Sequence, residues 1–398
     1  MTFQLADRLS RISEPQTIKM AKLGRELKAQ GIDIVDLSIG EPDFDTPVHI
    51  RDAAKKAMDE GYTHYTPVAG YADLRAAVAQ KFKRDNGLDY TPEQIVVSTG
   101  AKQSIANAVL SVVDPADEVV IPTPYWVTYS ELVKLCQGEV VFVACSAENN
   151  YKITPEQLEA AITPKTKLFM FSSPCNPTGS VYSREELEGL AKVFLKHPQV
   201  YIMSDEIYEY INYTGPHESI AQFPELKDRV IIINGLSKGF AMTGWRLGFS
   251  ASALPLAKAF DKIQSQFTSA TSSISQRAAV TALTGDLLTA KAMVAEFRKR
   301  RDFIAAGLAS IPGLKVNEPE GAFYMFPNVS AFFGKSFEGD TIRNADDLCM
   351  FLLHKAHVST VTGGAFGAPE CIRLSYATGM DKLEKGVARM KEWLGKLV

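Results

Sequence analysis

The amino-acid sequence predicts an α/β protein with a large domain, built on a mainly parallel seven-stranded sheet, and a smaller α+β domain. Three observations favour this fold class. The 398 residues are more than one small core usually holds. Short β-branched segments alternate with helical patterns through the middle of the chain, as expected for parallel strands covered by helices on both faces. After about residue 284 the pattern changes to a long helix, short strands and further helices.

Seven apolar, β-branched segments are the candidate strands of the large domain. They cover residues 95–98, 118–121, 140–143, 168–172, 200–204, 230–234 and 247–250. Helical patterns between several of them cover residues 101–113, 125–136 and 184–196. The tail predicts helices at 290–309, 345–355 and 382–397, and strands at 314–316, 322–326 and 372–375.

Composition narrows the possible partners and locations. Apolar residues make up 46% of the chain and charged residues 22%, which is typical of a globular enzyme. A net charge of −3 gives no electrostatic reason to expect a nucleic acid or a membrane as partner. No signal-peptide pattern opens the sequence, and no apolar run approaches the ~20 residues that cross a bilayer. The five cysteines are widely spread without a CxxC pair, which favours free thiols and a cytoplasmic location.

The segment 235–248 carries the strongest functional signal. It follows the apolar run 230–233, which predicts a buried strand. Lys238 stands just past that strand among small residues, where a partly desolvated amine can lose its proton and form a Schiff base with a carbonyl. Ser237 and Arg246 flank it with a hydroxyl and a planar cation suited to holding a phosphate. An amine beside a phosphate anchor indicates pyridoxal phosphate, whereas a solvated surface lysine is the alternative interpretation.

The same fourteen positions match the lysine motif of class I aminotransferases, in which small and apolar residues surround a lysine and an Arg-apolar-Gly sequence closes the motif. The chain resembles this family from about residue 34 to 375, and most resembles the bacterial and archaeal aspartate aminotransferase branch. The resemblance implies the type I fold of pyridoxal-phosphate-dependent transferases, with the N-terminal segment folded back onto the tail. We therefore place the large domain at residues 46–288 and the small domain at residues 1–45 and 289–398.

Asp205 follows the apolar strand candidate 200–204, and an acid at the carboxyl end of a strand can point into the crevice where open α/β sheets bind ligands. A carboxylate beside a pyridine nitrogen favours the protonated ring, which then accepts electrons from a substrate carbanion. A helix cap is the alternative for an acid in this position. The resemblance assigns Asp205 to the pyridine nitrogen and Tyr208, three residues on, to the cofactor's phenolate oxygen.

Gly100, Ala101 and Lys102 stand where strand 95–98 gives way to a helix, and the exposed amides of a helix start form a phosphate site. Such a junction alone is weak evidence, but the resemblance places the cofactor phosphate here. Trp126 follows a Pro-Tyr pair, and core packing is the general expectation for a tryptophan. The resemblance instead implies that Trp126 stacks on the cofactor ring and borders the substrate.

Asn176 lies in an Asn-Pro-Thr-Gly turn after strand 168–172; ordinary turn chemistry is the alternative. The resemblance implies that Asn176 donates to the phenolate oxygen and borders the substrate. Arg373 stands inside an apolar strand candidate, where an arginine without a nearby acid needs an anion such as a substrate carboxylate. A structural ion pair is the alternative. The resemblance assigns Arg373 to the substrate's α-carboxylate and brings the backbone of Gly40 close to the substrate.

Tyr65 precedes a Gly-x-x-x-Leu-Arg pattern that follows the family. A surface tyrosine is the default interpretation. The resemblance implies that Tyr65 reaches the phosphate of the neighbouring subunit's cofactor, which predicts a homodimer with shared active sites.

We predict an aminotransferase that moves the amino group of an amino acid to 2-oxoglutarate in two half-reactions, with L-aspartate as the favoured donor. Other amino donors, or carbon–sulfur cleavage on the same scaffold, are the alternatives. Some relatives accept prephenate through a basic N-terminal residue, and Glu14 occupies that position here, which predicts repulsion of a second carboxylate. We expect no metal site, because His354 and His357 have metal-ligand spacing without a third ligand.

Overall fold

The structure is a computed structural model that describes residues 3–14 and 16–398. The strands within those residues are β1 Val35–Asp36, β2 Ile95–Ser98, β3 Glu118–Thr123, β4 Glu139–Ala144, β5 Thr166–Ser172, β6 Tyr201–Asp205, β7 Val230–Gly235, β8 Gly248–Ala251, β9 Tyr324–Met325, β10 Ser336–Phe337, β11 Asp340–Thr341, β12 Val358–Ser359, β13 Val361–Thr362 and β14 Ile372–Ser375.

The α-helices of the described residues are α1 Arg8–Arg11, α2 Gln16–Ala29, α3 Val48–Asp59, α4 Ala72–Asn86, α5 Ala101–Val112, α6 Thr128–Leu135, α7 Pro155–Ala161, α8 Arg184–Lys196, α9 Leu254–Phe267, α10 Ser273–Thr284, α11 Leu288–Ala309, α12 Ala345–Phe351 and α13 Met380–Leu394. Local sequence explains several of their ends. Ser183 and Glu186 form a capping box at the start of α8. Gly87 ends α4 in the left-handed conformation, with φ of 67°.

Seven strands form the central sheet in the order β2-β8-β7-β6-β5-β3-β4. Only β8 runs antiparallel to its neighbours in this sheet, so the prediction of a mainly parallel seven-stranded sheet is confirmed. Ser172 at the end of β5 lies opposite Asp205 at the end of β6. The carboxyl ends of β5, β6 and β7 therefore meet at one edge of the sheet, where α/β proteins bind ligands.

The sheet is buried on both faces. In β7, Val230 and Ile232 belong to one apolar cluster, and Ile231 and Ile233 belong to another on the opposite face. Successive strand residues point to opposite faces, so a strand covered on both sides needs apolar residues at every position. This packing explains the continuous apolar run that precedes Lys238.

A separate apolar core holds the C-terminal part of the chain together with the N-terminal segment. It includes Met20 of α2, Phe297 of α11 and Met390 of α13, all of them buried. β1 pairs in parallel with β12, so the segment near residue 35 joins the C-terminal part. This arrangement agrees with the expected small domain, although the boundaries at residues 45 and 288 stay predictions.

The tail contains one wrong prediction. Residues 314–316 do not form a strand, because Lys315 pairs only with Asn328 in an isolated bridge before the chain turns away. The strand predicted at 322–326 is shorter, at Tyr324–Met325. The helix predicted at 345–355 is α12 followed by a π-helical turn, Leu352–Ala356.

Across the described residues, no single helix has both the length and the apolar character that a membrane crossing requires. The pair α10 and α11 meets the test by length and composition when taken together, with a bend of 81° between them.

Candidate active site

A cavity of about 460 Å³ opens at the carboxyl ends of β5, β6 and β7. Most of the residues predicted for the site line it: Gly40, Ala101, Lys102, Trp126, Asn176, Asp205, Tyr208, Ser237, Lys238, Arg246 and Arg373. β14 contributes Arg373 and α2 contributes further residues, so the wall is assembled from distant parts of the chain.

Lys238 lies three residues beyond the end of β7. Its Nζ donates a hydrogen bond of 2.6 Å to the carbonyl of Gly40. The pKa of Lys238 is lowered to about 8, mainly by burial and also by the positive charges of Arg373 and Arg246, against the opposing effect of Glu41. An amine with this pKa is partly neutral near physiological pH, as a nucleophile requires.

Gly40 must be a glycine here, because a Cβ at this position would overlap the hydroxyl of Tyr324. Its carbonyl can therefore approach the lysine while Tyr324 packs directly on the backbone. The expected approach of the Gly40 backbone to the substrate stays a prediction.

Asp205 is buried at the end of β6. Tyr129 donates to its Oδ2 at 2.7 Å, and the backbone N–H of Ile207 donates to its Oδ1 at 3.3 Å. Burial raises the pKa of Asp205 to about 6, although the hydrogen bond from Tyr129 lowers it. A buried carboxylate of this kind gains from a cation placed against it, such as a protonated ring nitrogen.

Gly100, Ser237 and Arg246 come together at one end of the cavity. Gly100 has φ of 81°, and a Cβ there would overlap the guanidinium of Arg246. Arg246 is itself in the left-handed conformation, with φ of 53°, and donates to the carbonyl of Thr243 at 2.9 Å. The start of α5 at Ala101 turns its free amides towards the same place, which makes this end suited to a phosphate.

Lys102 and Trp126 form the next part of the wall. The ammonium of Lys102 lies 5.0 Å from the centre of the Trp126 ring, and the ring contacts Tyr129 edge-on at 5.7 Å. Burial, together with the charge of Arg246, lowers the pKa of Lys102. The indole, which lines the cavity, is thus held between a cation and a tyrosine.

Arg373 is buried without an acidic partner among the described residues. It donates to Asn176 Oδ1 at 3.0 Å and to the carbonyl of Ser38 at 2.7 Å, while its Nε finds no hydrogen-bond partner in the described part of the chain. Burial lowers the pKa of Arg373. A buried guanidinium held only by neutral acceptors leaves its charge available to an anion.

Tyr208 contacts the cavity with its hydroxyl 2.6 Å from that of Tyr324. Burial raises the pKa of Tyr208 well above its usual value, so the phenol stays protonated and can donate a hydrogen bond.

Tyr65 does not line this cavity. Its side chain is 98% exposed and lies in a separate depression with Tyr62 and Thr271. Thr271 donates to the backbone carbonyl of Arg246 at 3.2 Å, so the depression lies behind the phosphate end of the cavity.

Five basic and two acidic residues line the cavity, and none of the five forms an ion pair with an acid among the described residues. They are Arg25, Lys102, Lys238, Arg246 and Arg373. The unpartnered Nε of Arg373, the cradle at Gly100 and the buried Asp205 fit a ligand with a phosphate and a protonated ring nitrogen. Pyridoxal phosphate is such a ligand.

The sequence model of a family described as aminotransferase class I and II matches residues 32–390. The chain belongs to this family. It is therefore an aminotransferase that uses pyridoxal phosphate and acts on amino and 2-oxo acids, and the family resemblance noted from the sequence is confirmed.

Relatives and solved structures match along nearly the whole chain. A Petunia hybrida protein described as a bifunctional aspartate aminotransferase and glutamate/aspartate-prephenate aminotransferase is 46% identical, over 98% of this chain and 82% of its own. A Bacillus subtilis aspartate aminotransferase is 45% identical, over 99% of each chain. The crystal structure of the aspartate aminotransferase from Rhizobium meliloti superposes with a TM-score of 0.97 at 42% identity and covers 100% of both chains.

Sequence reasoning missed several residues of the cavity. Tyr129, which bonds Asp205, stands three residues after Trp126, and that helical spacing could have indicated a shared face. Tyr324 gave no comparable signal, because its place over Gly40 depends on packing between distant segments. Ile18 and Arg25 of α2 reach the cavity only because the N-terminal segment folds back.

Proposed function

We propose that this aminotransferase moves the amino group of L-aspartate to 2-oxoglutarate in two half-reactions. The observation that carries the proposal is the group of five basic residues in the cavity without acidic partners among the described residues. A cofactor phosphate and one α-carboxylate use two of those charges, Arg246 and Arg373. The remaining positive charge suits a substrate with a second carboxylate, and relatives named for aspartate support this assignment.

The phosphate end uses Ser237, Arg246 and the first amides of α5. When bound, pyridoxal phosphate supplies an aldehyde that bonds to an amine and a protonated ring that accepts electrons from the substrate's α-carbon. Asp205 would hold the protonated ring nitrogen in a charge-assisted pair, with Tyr129 orienting its carboxylate. Trp126 would pack against the ring, and Tyr208 and Asn176 would donate hydrogen bonds to the oxygen of the ring.

Lys238 carries the proton transfers. Its neutral amine, near the carbonyl of Gly40, takes the α-proton of the amino acid as a general base and returns a proton as a general acid. Arg373 holds the α-carboxylate through two N–H donors, so that the α-carbon faces the Lys238 Nζ. The low pKa of Lys238 keeps a useful fraction of base at neutral pH.

Lys102 and Arg25 are the candidate partners of the second carboxylate. Lys102 stands beside Trp126 inside the cavity, and Arg25 extends from the face of α2 that also presents Ile18 and Ala21. Neither forms an ion pair with a described residue. Both therefore have a free charge to offer a dicarboxylic substrate.

The test is a panel of amino donors with 2-oxoglutarate, comparing catalytic efficiencies. We expect aspartate to exceed alanine about a hundredfold or more, because a site built around a charge discriminates strongly against substrates that lack its partner. Lys102→Met and Arg25→Leu should each lower the efficiency with aspartate about tenfold and leave alanine nearly unchanged. Lys22→Leu, on the exposed part of α2 outside the cavity, is the control. Alanine or an aromatic donor exceeding aspartate would contradict the proposal.

Prephenate is a second candidate acceptor, because several relatives are named for it. Glu14 was expected to repel its extra carboxylate. Glu14 lines a neighbouring depression with Ser13 and Glu131, and not the cavity that holds Lys238. A prephenate assay alongside 2-oxoglutarate tests this candidate, which fails if prephenate supports no amino transfer from aspartate.

We also propose a cytoplasmic homodimer. All five cysteines are free thiols, which suits a reducing compartment. The exposed Tyr65 shares a depression with Thr271, which donates to the backbone carbonyl of Arg246. This placement supports a second subunit at this surface, with the tyrosine reaching the partner's phosphate site.

A further inference from the structure

We infer that Tyr210 is a positioning residue for Lys238: it holds the backbone turn that carries the lysine, and so keeps the amine at the carbonyl of Gly40. The inference depends on the proposed role of Lys238 in catalysis. Tyr210 lies outside the cavity, so its effect on the reaction is indirect.

The ring of Tyr210 lies directly on the residue after the lysine. A Cβ at Gly239 would stand 2.6 Å from Tyr210 Cδ2 and 3.0 Å from its Cβ, which leaves no room for a side chain. Gly239 does not have a positive φ, so its backbone conformation is open to other residues. The tyrosine, and not the backbone conformation, is what excludes a larger residue at position 239.

Tyr210 also packs on the second residue after the lysine. Its ring meets the buried Phe240 edge-on, with ring centres 5.4 Å apart. The two residues that follow Lys238 are therefore both fixed against one aromatic ring.

The other end of Tyr210 is anchored in a network of charges. Its hydroxyl donates to Asp85 Oδ2 at 2.6 Å, and Arg84 holds both oxygens of Asp85 at 2.6 and 2.9 Å. The Lys81 ammonium, which pairs with Glu209, lies 5.5 Å from the centre of the ring. Tyr210 thus connects α4 to the turn of the catalytic lysine.

The turn needs this support, because its own hydrogen bonds are long. Phe240 N–H to the Leu236 carbonyl measures 3.3 Å, Ala241 N–H to the Lys238 carbonyl 3.4 Å, and Met242 N–H to the Ser237 carbonyl 3.2 Å. Bonds of this length hold weakly. Without the tyrosine ring, the turn can relax. The Lys238 Nζ can then lose its hydrogen bond to the Gly40 carbonyl and become hydrated.

Competitive labelling tests the inference on the full-length protein without cofactor. Trace acetic anhydride at pH values between about 7 and 11 labels neutral amines, and peptide mass spectrometry gives the midpoint for Lys238. Tyr210→Ala should raise this midpoint by about one unit or more towards the ordinary lysine value, since the amine gains water. Tyr210→Phe, which keeps the ring, should raise it by less than half as much.

Gly239→Ala should also release the turn that carries Lys238. Its methyl group should displace the ring and raise the midpoint as Tyr210→Ala does. In the double variant, the methyl has space, so the midpoint should equal that of Tyr210→Ala alone.

Tyr90→Ala is the matched control. Tyr90 is buried in the same apolar cluster, and its hydroxyl has no hydrogen-bond partner among the described residues. It should lower the melting temperature and leave the Lys238 midpoint in place. If Tyr210→Ala and Gly239→Ala also lower only the melting temperature, the tyrosine has a packing role alone and the inference is wrong. Failure of the proposed catalytic role is separate: reduction of the wild-type holoenzyme with borohydride would then leave no cofactor on Lys238.

Discussion

The segment from Ser204 to Tyr210 sends charged side chains into two regions that are built differently. Asp205 faces the cavity, where basic residues have no acidic partners within the described residues. Glu206 and Glu209, one and four residues further along the chain, enter an interior where opposite charges are paired. The two regions lie within a few residues of each other and are both buried, so burial alone does not distinguish a catalytic charge from a structural one.

The charges of the paired region lie at ion-pair distance from one another. One oxygen each of Glu206 and Glu209 and both ring nitrogens of His217 nevertheless have no hydrogen bond within the described residues. Glu206 accepts hydrogen bonds from Ser204 at 2.9 Å and Ser219 at 2.6 Å, and His217 Nε2 lies 3.2 Å from its other oxygen. Burial alone would lower the pKa of His217, but the Glu206 carboxylate raises it above its usual value. Lys81 pairs with Glu209 nearby.

This contrast separates two uses of buried charge. The ligand atoms of Glu206, Glu209 and His217 lie within 4.8 Å of one another, a spacing that a metal ion could use. The ammonium of Lys81 already supplies positive charge at Glu209, so that carboxylate has a cationic partner from the protein itself. The cavity has no such internal compensation, and its charges are left for ligands.

The largest expected difference is between the lysines of the two regions. Lys238→Ala should abolish amino transfer and leave the apo-protein at least as stable as the wild type. Lys81→Ala should cost about 3–5 kcal/mol of stability, because it leaves Glu209 buried and unpaired. Thermal unfolding without cofactor and an amino-transfer assay measure both effects. Equal destabilisation by the two substitutions would contradict the distinction between a catalytic lysine in the cavity and a structural lysine in the paired region.

The pH dependence of stability sharpens the same comparison. The folded-state pKa of Lys238, about 8, lies below its ordinary value of 10.5. At neutral pH the chain must therefore either bury the charged ammonium or lose its proton on folding, and either lowers the free energy of unfolding. This penalty disappears as the pH rises from about 8 to 10. The wild-type apo-protein should gain stability relative to Lys238→Ala in that window. Parallel stability curves for the two proteins would show that the lysine is not perturbed.

Asp205→Asn should lower the rate of the half-reaction with aspartate about a thousandfold, or about 4 kcal/mol, because the ring nitrogen loses its charged partner. The same change should stabilise the apo-protein above pH 6 by about 3 kcal/mol at most. The sign follows from the folded-state pKa of about 6, raised from 3.8, which penalises the buried carboxylate at higher pH. A rate loss below tenfold would mean that another carboxylate faces the ring.

Arginines offer a third comparison. Arg373→Leu should lower catalytic efficiency about a hundredfold or more for every amino acid, since all carry the α-carboxylate. Arg300 is equally buried but pairs with Asp43 at 2.7 Å. Arg300→Leu should therefore reduce stability and change substrate efficiency little. Loss confined to dicarboxylic donors would place Arg373 at the second carboxylate.

Tyr65→Phe should have the smallest effect, a loosening of cofactor binding by about tenfold or less, because one of several phosphate donors is lost. A mixture of Lys238→Ala subunits with subunits that carry a disabling substitution at Tyr65 should recover activity towards about a quarter of wild type, since half the dimers are hybrids and each has one intact site. Subunit exchange is followed by native mass spectrometry. No recovery after exchange would mean that Tyr65 serves its own subunit or no site.

Much of the fold and part of the site could be predicted from the sequence. The β7 strand and the role of Lys238 could be predicted because both depend on residues that are contiguous in the sequence: an apolar run and a fourteen-residue motif. Tyr324 over Gly40 could not be predicted, since it depends on how two distant segments pack. The failed strand at 314–316 has the same cause: a strand requires a partner, and local sequence does not show that it lacks one.

The proposal that Lys238 is the lysine that bonds the cofactor can be tested by reducing the holoenzyme with borohydride and analysing its peptides by mass spectrometry. Two lysines line the cavity, Lys238 and Lys102, and both have a lowered pKa. We expect the added cofactor mass on the peptide that contains Lys238 and none on the peptide that contains Lys102. Cofactor mass on Lys102, or on neither lysine, would contradict the proposal.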